Sequence, residues 1–197
     1  MELFAAKIAE QRQELVRLDT AIGDGDHGTN MNRGMQKVLE KLAAADPEPA
    51  DPGAVLKLTA MTLISSVGGA AGPLYGTLFL QLGGALSGHP DVDLETYAAG
   101  WREALDGLTA RGKAQPGDKT MLDALAPAVD ALAQATDLDD GLRAAAQAAR
   151  EGMLATTPLV ARKGRASYLA ERSVGHQDPG ATSMYYLLET ATQAFTS

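Results

Sequence analysis

The chain has 197 residues, enough for a full hydrophobic core, and no linker, repeat or low-complexity block divides it, so a single domain over 1–197 is expected. A formal net charge of −8 and a pI near 4.8 leave no basic footprint for nucleic acid, and the absence of cysteine excludes disulfides and thiolate-bound zinc or iron-sulfur sites. No apolar run reaches the ~18 residues of a membrane span, and the charged, amphipathic start MELFAAKIAEQRQEL lacks a signal-peptide core, so a cytoplasmic protein with neither nucleic-acid nor membrane partner is expected.

Aromatic residues make up 5% of the chain and alanine is abundant, which favours closely packed helices over sheet. Helical apolar spacing recurs in eight stretches, at 2–18, 31–45, 53–67, 73–87, 93–110, 119–135, 138–156 and 181–195. Gly, Pro and capping Asp punctuate them, as in Asp51-Pro52-Gly53, Gly72-Pro73 and Asp178-Pro179-Gly180. Short connections between long helices predict an all-α, antiparallel bundle or closed ring.

The first connection, DTAIGDGDHGTN at 19–30, puts Asp19, Asp24 and Asp26 within eight positions among Gly23, Gly25 and Gly28. GDGDHG also fits the dinucleotide fingerprint GxGxxG, but that fingerprint follows a hydrophobic strand, whereas LVRLDTAI continues a helix. Aspartates here would repel a bare diphosphate. A divalent cation between carboxylates and phosphates reverses the sign, since Mg²⁺ takes oxygen ligands from one or two carboxylates plus substrate phosphates. A calcium EF-hand fails at its third ligand place, Gly28, and at its final place, Met35. Helix capping by Asp24 or Asp26 is the plainer reading, although one aspartate would suffice for it.

At 65–77, SSVGGAAGPLYGT is dense in small residues; they either let a ligand approach the backbone or let two helices cross closely, and the sequence leaves both open. In RGKAQPGDKTMLDAL at 111–125, Asp118 reads as a helix N-cap before a metal ligand, and Met121 as either core or a thioether against a purine.

Residues 157–180 form a 24-residue stretch without clear period, longer than the ~12–15 residues usual for a loop in a compact domain. Arg162, Lys163, Arg165 and Arg172 make it locally positive, as suits a lid over an anion. Arg165, between Gly164 and Ala166, is best placed for bidentate contact with a phosphoryl oxygen. Gly175 to Thr182 imitates a P-loop but has Ala181 where the lysine belongs, so it is no Walker loop; Gly180 to Thr182 still open the last helix. His176 is open between ligand contact, acid/base and structural roles.

Together IGDGDHGTNMNRG, SSVGGAAGPLYGT, RGKAQPGDKTMLDAL and ARKGRASYLAERSVGHQDPGATS resemble the signature blocks of the nucleotide-binding L subunits of dihydroxyacetone kinases, in order, from about Leu15 onward. The lid block is the most specific. The resemblance implies an eight-helix antiparallel barrel with two Mg²⁺ held by Asp19, Asp24 and Asp26 against the phosphates of ADP or ATP. It places nucleotide contacts on His27, Gly28, Thr29, Asn30, Ala70, Ala71, Gly112, Met121, Arg165, Asp178, Pro179 and Gly180. Arg165 is then the catalytic candidate, stabilising charge during phosphoryl transfer.

In that family a separate K subunit holds the triose as a hemiaminal on its histidine. In the phosphotransferase-system type, a phosphohistidine on an M subunit recharges bound ADP. Rival readings are a kinase subunit for another ketose such as erythrulose, and a nucleotide-sensing module that binds a transcriptional regulator. Two departures stand out: Ala71 replaces the expected serine of GGASGP, and Ala170 replaces the glycine of YLGERS.

Overall fold

The computed structural model describes residues 1–195; the last two positions of the expected 1–197 domain lie outside the described residues. Among the described residues there are nine α-helices, one 3-10 helix and no strand. The α-helices are α1 (Glu2–Glu10), α2 (Arg12–Ile22), α3 (His27–Ala43), α4 (Pro52–Ser66), α5 (Ala71–Ala85), α6 (Leu94–Gly112), α7 (Leu122–Gln134), α8 (Leu138–Ala155) and α9 (Pro179–Phe195). Each helix from α3 onward packs on the next, and α9 returns to α1 and α2, closing a ring of helices. Trp101, Tyr75, Phe4 and Phe79 lie fully buried in its continuous core, each contributing about 1.5–3 kcal/mol by leaving water. No described helix is long and apolar enough to cross a membrane.

Boundaries follow local chemistry. Asp51 precedes Pro52 and accepts the Ala54 N–H at 2.7 Å, Asp93 accepts that of Thr96 at 2.8 Å, and Asp137 that of Asp140 at 2.8 Å. Gly72 and Gly76 settle part of the small-residue question. A Cβ on Gly72 would lie 2.3 Å from the Val67 carbonyl, and one on Gly76 2.2 Å from Ile64 Cγ1, so these two glycines permit the close α4–α5 crossing.

Four expectations need correction. The helix expected over 2–18 is two helices meeting at Gln11, whose ψ of 10° leaves helical values, and the second runs on to Ile22 because Leu18, Asp19 and Ile22 face inward. The helix expected from 31 starts at His27, since Asp19 caps its first turn from the preceding helix. The helix expected from 119 starts at Leu122, because Lys119 has φ +62° and breaks the helical path.

The lid, finally, is not loop throughout. It contains a 3-10 helix, Arg165–Ser173, broken at Ala170 (φ 50°, ψ −127°). The sequence hid this element because its side chains are mostly polar and exposed and its register changes at the kink. Ala161, Ala166 and Leu169 pack on Ile22 of α2 as a small cluster apart from the main core.

Candidate functional site

α2 ends in a glycine-flanked turn that brings the three acidic side chains together. One carboxylate oxygen from each of Asp19, Asp24 and Asp26 lies within 4.8 Å of the others. Asp19, in the last turn of α2, is 9% exposed, while Asp24 and Asp26 are exposed. Asp19 Oδ2 accepts the N–H groups of Asp26 at 2.8 Å and His27 at 3.0 Å. The capping weighed for Asp24 or Asp26 is thus performed by Asp19, and Asp26, at the N-cap position, makes no side-chain cap bond. Oxygen-only donors, two of them open to solvent, suit a hard divalent cation.

The three aspartates line a cavity of about 400 Å³. Leu74, Leu108, Met121 and Leu122 supply apolar wall, and Gly68 to Ala71 and Gly112 supply wall with little or no side chain. Lys163, Gly164 and Arg165 come from the lid, and Asp178, Pro179 and Gly180 from the start of α9. Arg165 Nη2 stands 3.0 Å from Asp24 Oδ2.

Of the residues singled out in the sequence, Asp19, Asp24, Asp26, His27, Asn30, Ala70, Ala71, Gly112, Met121, Arg165, Asp178, Pro179 and Gly180 line this cavity. Gly28 and Thr29 are not among the lining residues. A Cβ on Gly28 would meet the Arg12 carbonyl at 2.3 Å, so that glycine serves the packing of α3 on α2. Gly28 and Thr29 still lie in the first turn of α3, where N–H groups have no carbonyl four residues back within the helix.

Asp118 does not cap α7. Its carboxylate accepts the Gln115 N–H at 2.9 Å, and Asp123 instead takes the N–H groups of Gly117 and Thr120. His176 is exposed and absent from the cavity wall.

Two features were not foreseen. His27 Nε2 lies 2.9 Å from Ser183 Oγ, which accepts the Tyr75 hydroxyl at 2.8 Å and donates to the Gly180 carbonyl at 3.1 Å. With the serine proton on Gly180, His27 completes the set by donating from Nε2. Burial holds its imidazole below the ordinary value, against the pull of Asp19 and Asp26. The second is Lys119, 1% exposed and surrounded by lid carbonyls. No local pattern identifies either, since the partners are far away in the chain. Beside Lys119, burial pushes the Asp178 carboxyl up to about 7, opposed chiefly by the Ala181 N–H it accepts at 2.7 Å.

The family model described as the DAK2 domain matches residues 21–193. The chain is 48% identical over 183 residues to the ADP-binding subunit DhaL of the PEP-dependent dihydroxyacetone kinase of Escherichia coli, covering 91% of this chain and 86% of that one. It is 45% identical over 190 residues to the ADP-binding subunit DhaL of PEP-dependent dihydroxyacetone kinase 1 of Listeria innocua, covering 96% and 91%. Among solved structures it resembles the dihydroxyacetone kinase from C. freundii in complex with AMP-PNP and Mg²⁺, with a TM-score of 0.74 and 25% identity over 98% of this chain and 32% of that longer one. The chain belongs to the DAK2 domain family.

Proposed function

We propose that this chain, over residues 1–197, is the nucleotide-binding subunit of a dihydroxyacetone kinase. It would hold Mg²⁺-ADP or Mg²⁺-ATP and present a phosphoryl group to dihydroxyacetone bound on a separate K subunit in the cytoplasm. The observation that carries this reading is the three-carboxylate cluster in the wall of a cavity whose lining also has apolar, glycine-rich and basic segments. The names of the relatives support it: two are ADP-binding subunits, and a solved neighbour was crystallised with AMP-PNP and Mg²⁺. Both relatives are named PEP-dependent, which supports recharging of ADP by a phosphohistidine on an M subunit of the phosphotransferase system.

Asp19, Asp24 and Asp26 would hold two Mg²⁺. Bound there, the cations supply charge neutralisation of the phosphate oxygens. The chain's own residues do the rest by position. Asp19 fixes the start of α3, whose first-turn N–H groups would favour anionic oxygen nearby. Leu74, Leu108 and Met121 give the base an apolar berth, and Gly112 lets it approach the backbone. Arg165 moves from Asp24 to an equatorial phosphoryl oxygen, where a guanidinium stabilises the charge of the transferring group. The aspartates act as ligands and not as bases.

Native mass spectrometry of the purified protein tests the binding reading, with ADP and two magnesium ions as the expected mass. Mixing the chain with its K subunit, dihydroxyacetone and a phosphoryl donor tests the activity. Capture of a regulator without turnover would favour the sensing module instead.

A further inference from the structure

The lid has little apolar anchorage. Its hydrophobic contacts are a small cluster of Ala161, Ala166 and Leu169 on Ile22, separate from the core that holds the ring together. Polar contacts therefore do much of the anchoring, among them the Gly175 N–H donating to the Thr157 carbonyl at 2.8 Å. Lys119 Nζ donates to the carbonyls of Ser173 at 2.8 Å and Leu159 at 3.1 Å, with Thr157 at 3.5 Å. Thr157 and Leu159 belong to the entry of the lid and Ser173 to its exit, so one ammonium gathers both ends. Three carbonyl acceptors call for three N–H donors, which only the charged form provides.

The same turn is tied to the lid and the cavity in other ways. The Asp118 carbonyl accepts the Arg162 N–H at 3.0 Å, and the Ser173 hydroxyl accepts that of Ala161 at 2.8 Å. Lys119 itself has φ +62°, a conformation that a non-glycine residue keeps only where its surroundings hold it. Two residues on, Met121 lines the cavity and backs onto Gly180.

We propose that Lys119 is a positioning residue of the nucleotide site, its ammonium pinning both ends of the lid so that Arg165 stays within reach of the site and Met121 against the base. Lys119 also borders the cavity, but its N–H groups are committed to lid carbonyls, so it is not a phosphate contact. This rests on the reading of the cavity as a nucleotide site.

The test compares Lys119→Met with Leu132→Ala, a change in the α7 core away from the lid, under two readouts at temperatures where both variants are folded. The first is limited trypsin cleavage without nucleotide at Arg162, Lys163, Arg165 and Arg172, all in the lid. The second is Mg²⁺-ADP affinity by calorimetry. Lys119→Met should be cut in the lid about tenfold faster and bind Mg²⁺-ADP about tenfold more weakly, while Leu132→Ala changes neither despite its lower melting temperature. Lid cleavage at the wild-type rate, or faster cleavage with unchanged affinity, overturns the proposal. Faster cleavage in a chain whose wild type binds no Mg²⁺-ADP would leave the lid anchor standing and remove the nucleotide reading.

A second measurement needs no variant. The ¹⁵N-labelled wild-type protein should show one slowly exchanging lysine ammonium signal with couplings to backbone carbonyl carbons. Its absence also overturns the proposal.

Discussion

The Arg165 guanidinium crosses from the lid to Asp24 on the opposite loop, Nη2 to Oδ2 at 3.0 Å. Arg165 is 65% and Asp24 35% exposed, so solvent screens the pair, which contributes about 0–1 kcal/mol to stability. Its significance is chemical. A guanidinium occupies one carboxylate of the cluster, and on the proposed reading a metal ion arriving there would displace it toward the phosphates.

Arg165→Gln is expected to lower phosphoryl transfer about 10³-fold, while Mg²⁺ binding in the absence of nucleotide stays equal or tightens. A coupled assay with the K subunit and metal titration by calorimetry measure the two effects. Transfer at the wild-type rate would remove Arg165 from the chemistry.

Asp24 and Asp19 should separate under mutation. Asp24→Asn is expected to lose ADP on gel filtration with little change in the melting temperature of the nucleotide-free chain, because its carboxylate bonds to no backbone N–H. Asp19→Ala should lose ADP and also about 1–2 kcal/mol of stability, because it strips the cap from α3. Equal thermal melts for the two variants would contradict the capping role.

Ala170 occupies φ 50°, ψ −127°, a region that only glycine enters freely. Strain of about 1–3 kcal/mol is expected there, so Ala170→Gly should stabilise the folded chain by about 1 kcal/mol and raise its melting temperature by about 2–4 °C. A lower melting temperature would show that the alanine fits its site without strain.

Asp178 gives a pH dependence. Its folded pKa of about 7 stands above the ordinary value of 3.8, raised first by burial and opposed by the Ala181 N–H. The folded chain therefore binds the proton more tightly than the unfolded chain between those pH values, and stability attached to this group falls as pH rises from about 4 to about 7. Asp178→Asn keeps an oxygen for the Ala181 N–H and removes the titration. Its melting temperature relative to wild type should rise across that window and level off above it; a constant difference would refute the assignment.

Ala71, the first residue of α5, lines the cavity without a hydroxyl. Ala71→Ser adds a donor in the helix's first turn and should tighten Mg²⁺-ADP binding two- to tenfold, about 0.5–1.5 kcal/mol. Isothermal titration of the two proteins side by side decides it.

Much of the ring was legible because it is made of long segments whose apolar residues repeat at helical spacing and whose ends carry Asp, Pro or Gly. Asp51-Pro52 behaves as the sequence suggests, since a cap depends on atoms three residues away. The clustering of Asp19, Asp24 and Asp26 was legible for the same reason: eight positions of glycine-rich chain cannot carry them far apart. The resemblance of four blocks pointed to the family.

Where a residue's partners were distant, the sequence was silent. It put Asp19 in a loop, although α2 extends through it and its carboxylate reaches forward to cap α3. It found no clear period in the lid because the 3-10 helix exposes most of its length and changes register at Ala170.

Composition and periodicity by themselves determined that this chain is helical and acidic, with carboxylates gathered near one glycine turn, because those properties arise from neighbours within a few residues. Only the tertiary structure decided that Lys119 draws in carbonyls 38, 40 and 54 residues away and that Arg165 faces Asp24. A buried ammonium takes whichever oxygens the closed ring brings to it, and no sequence spacing fixes which ones those are.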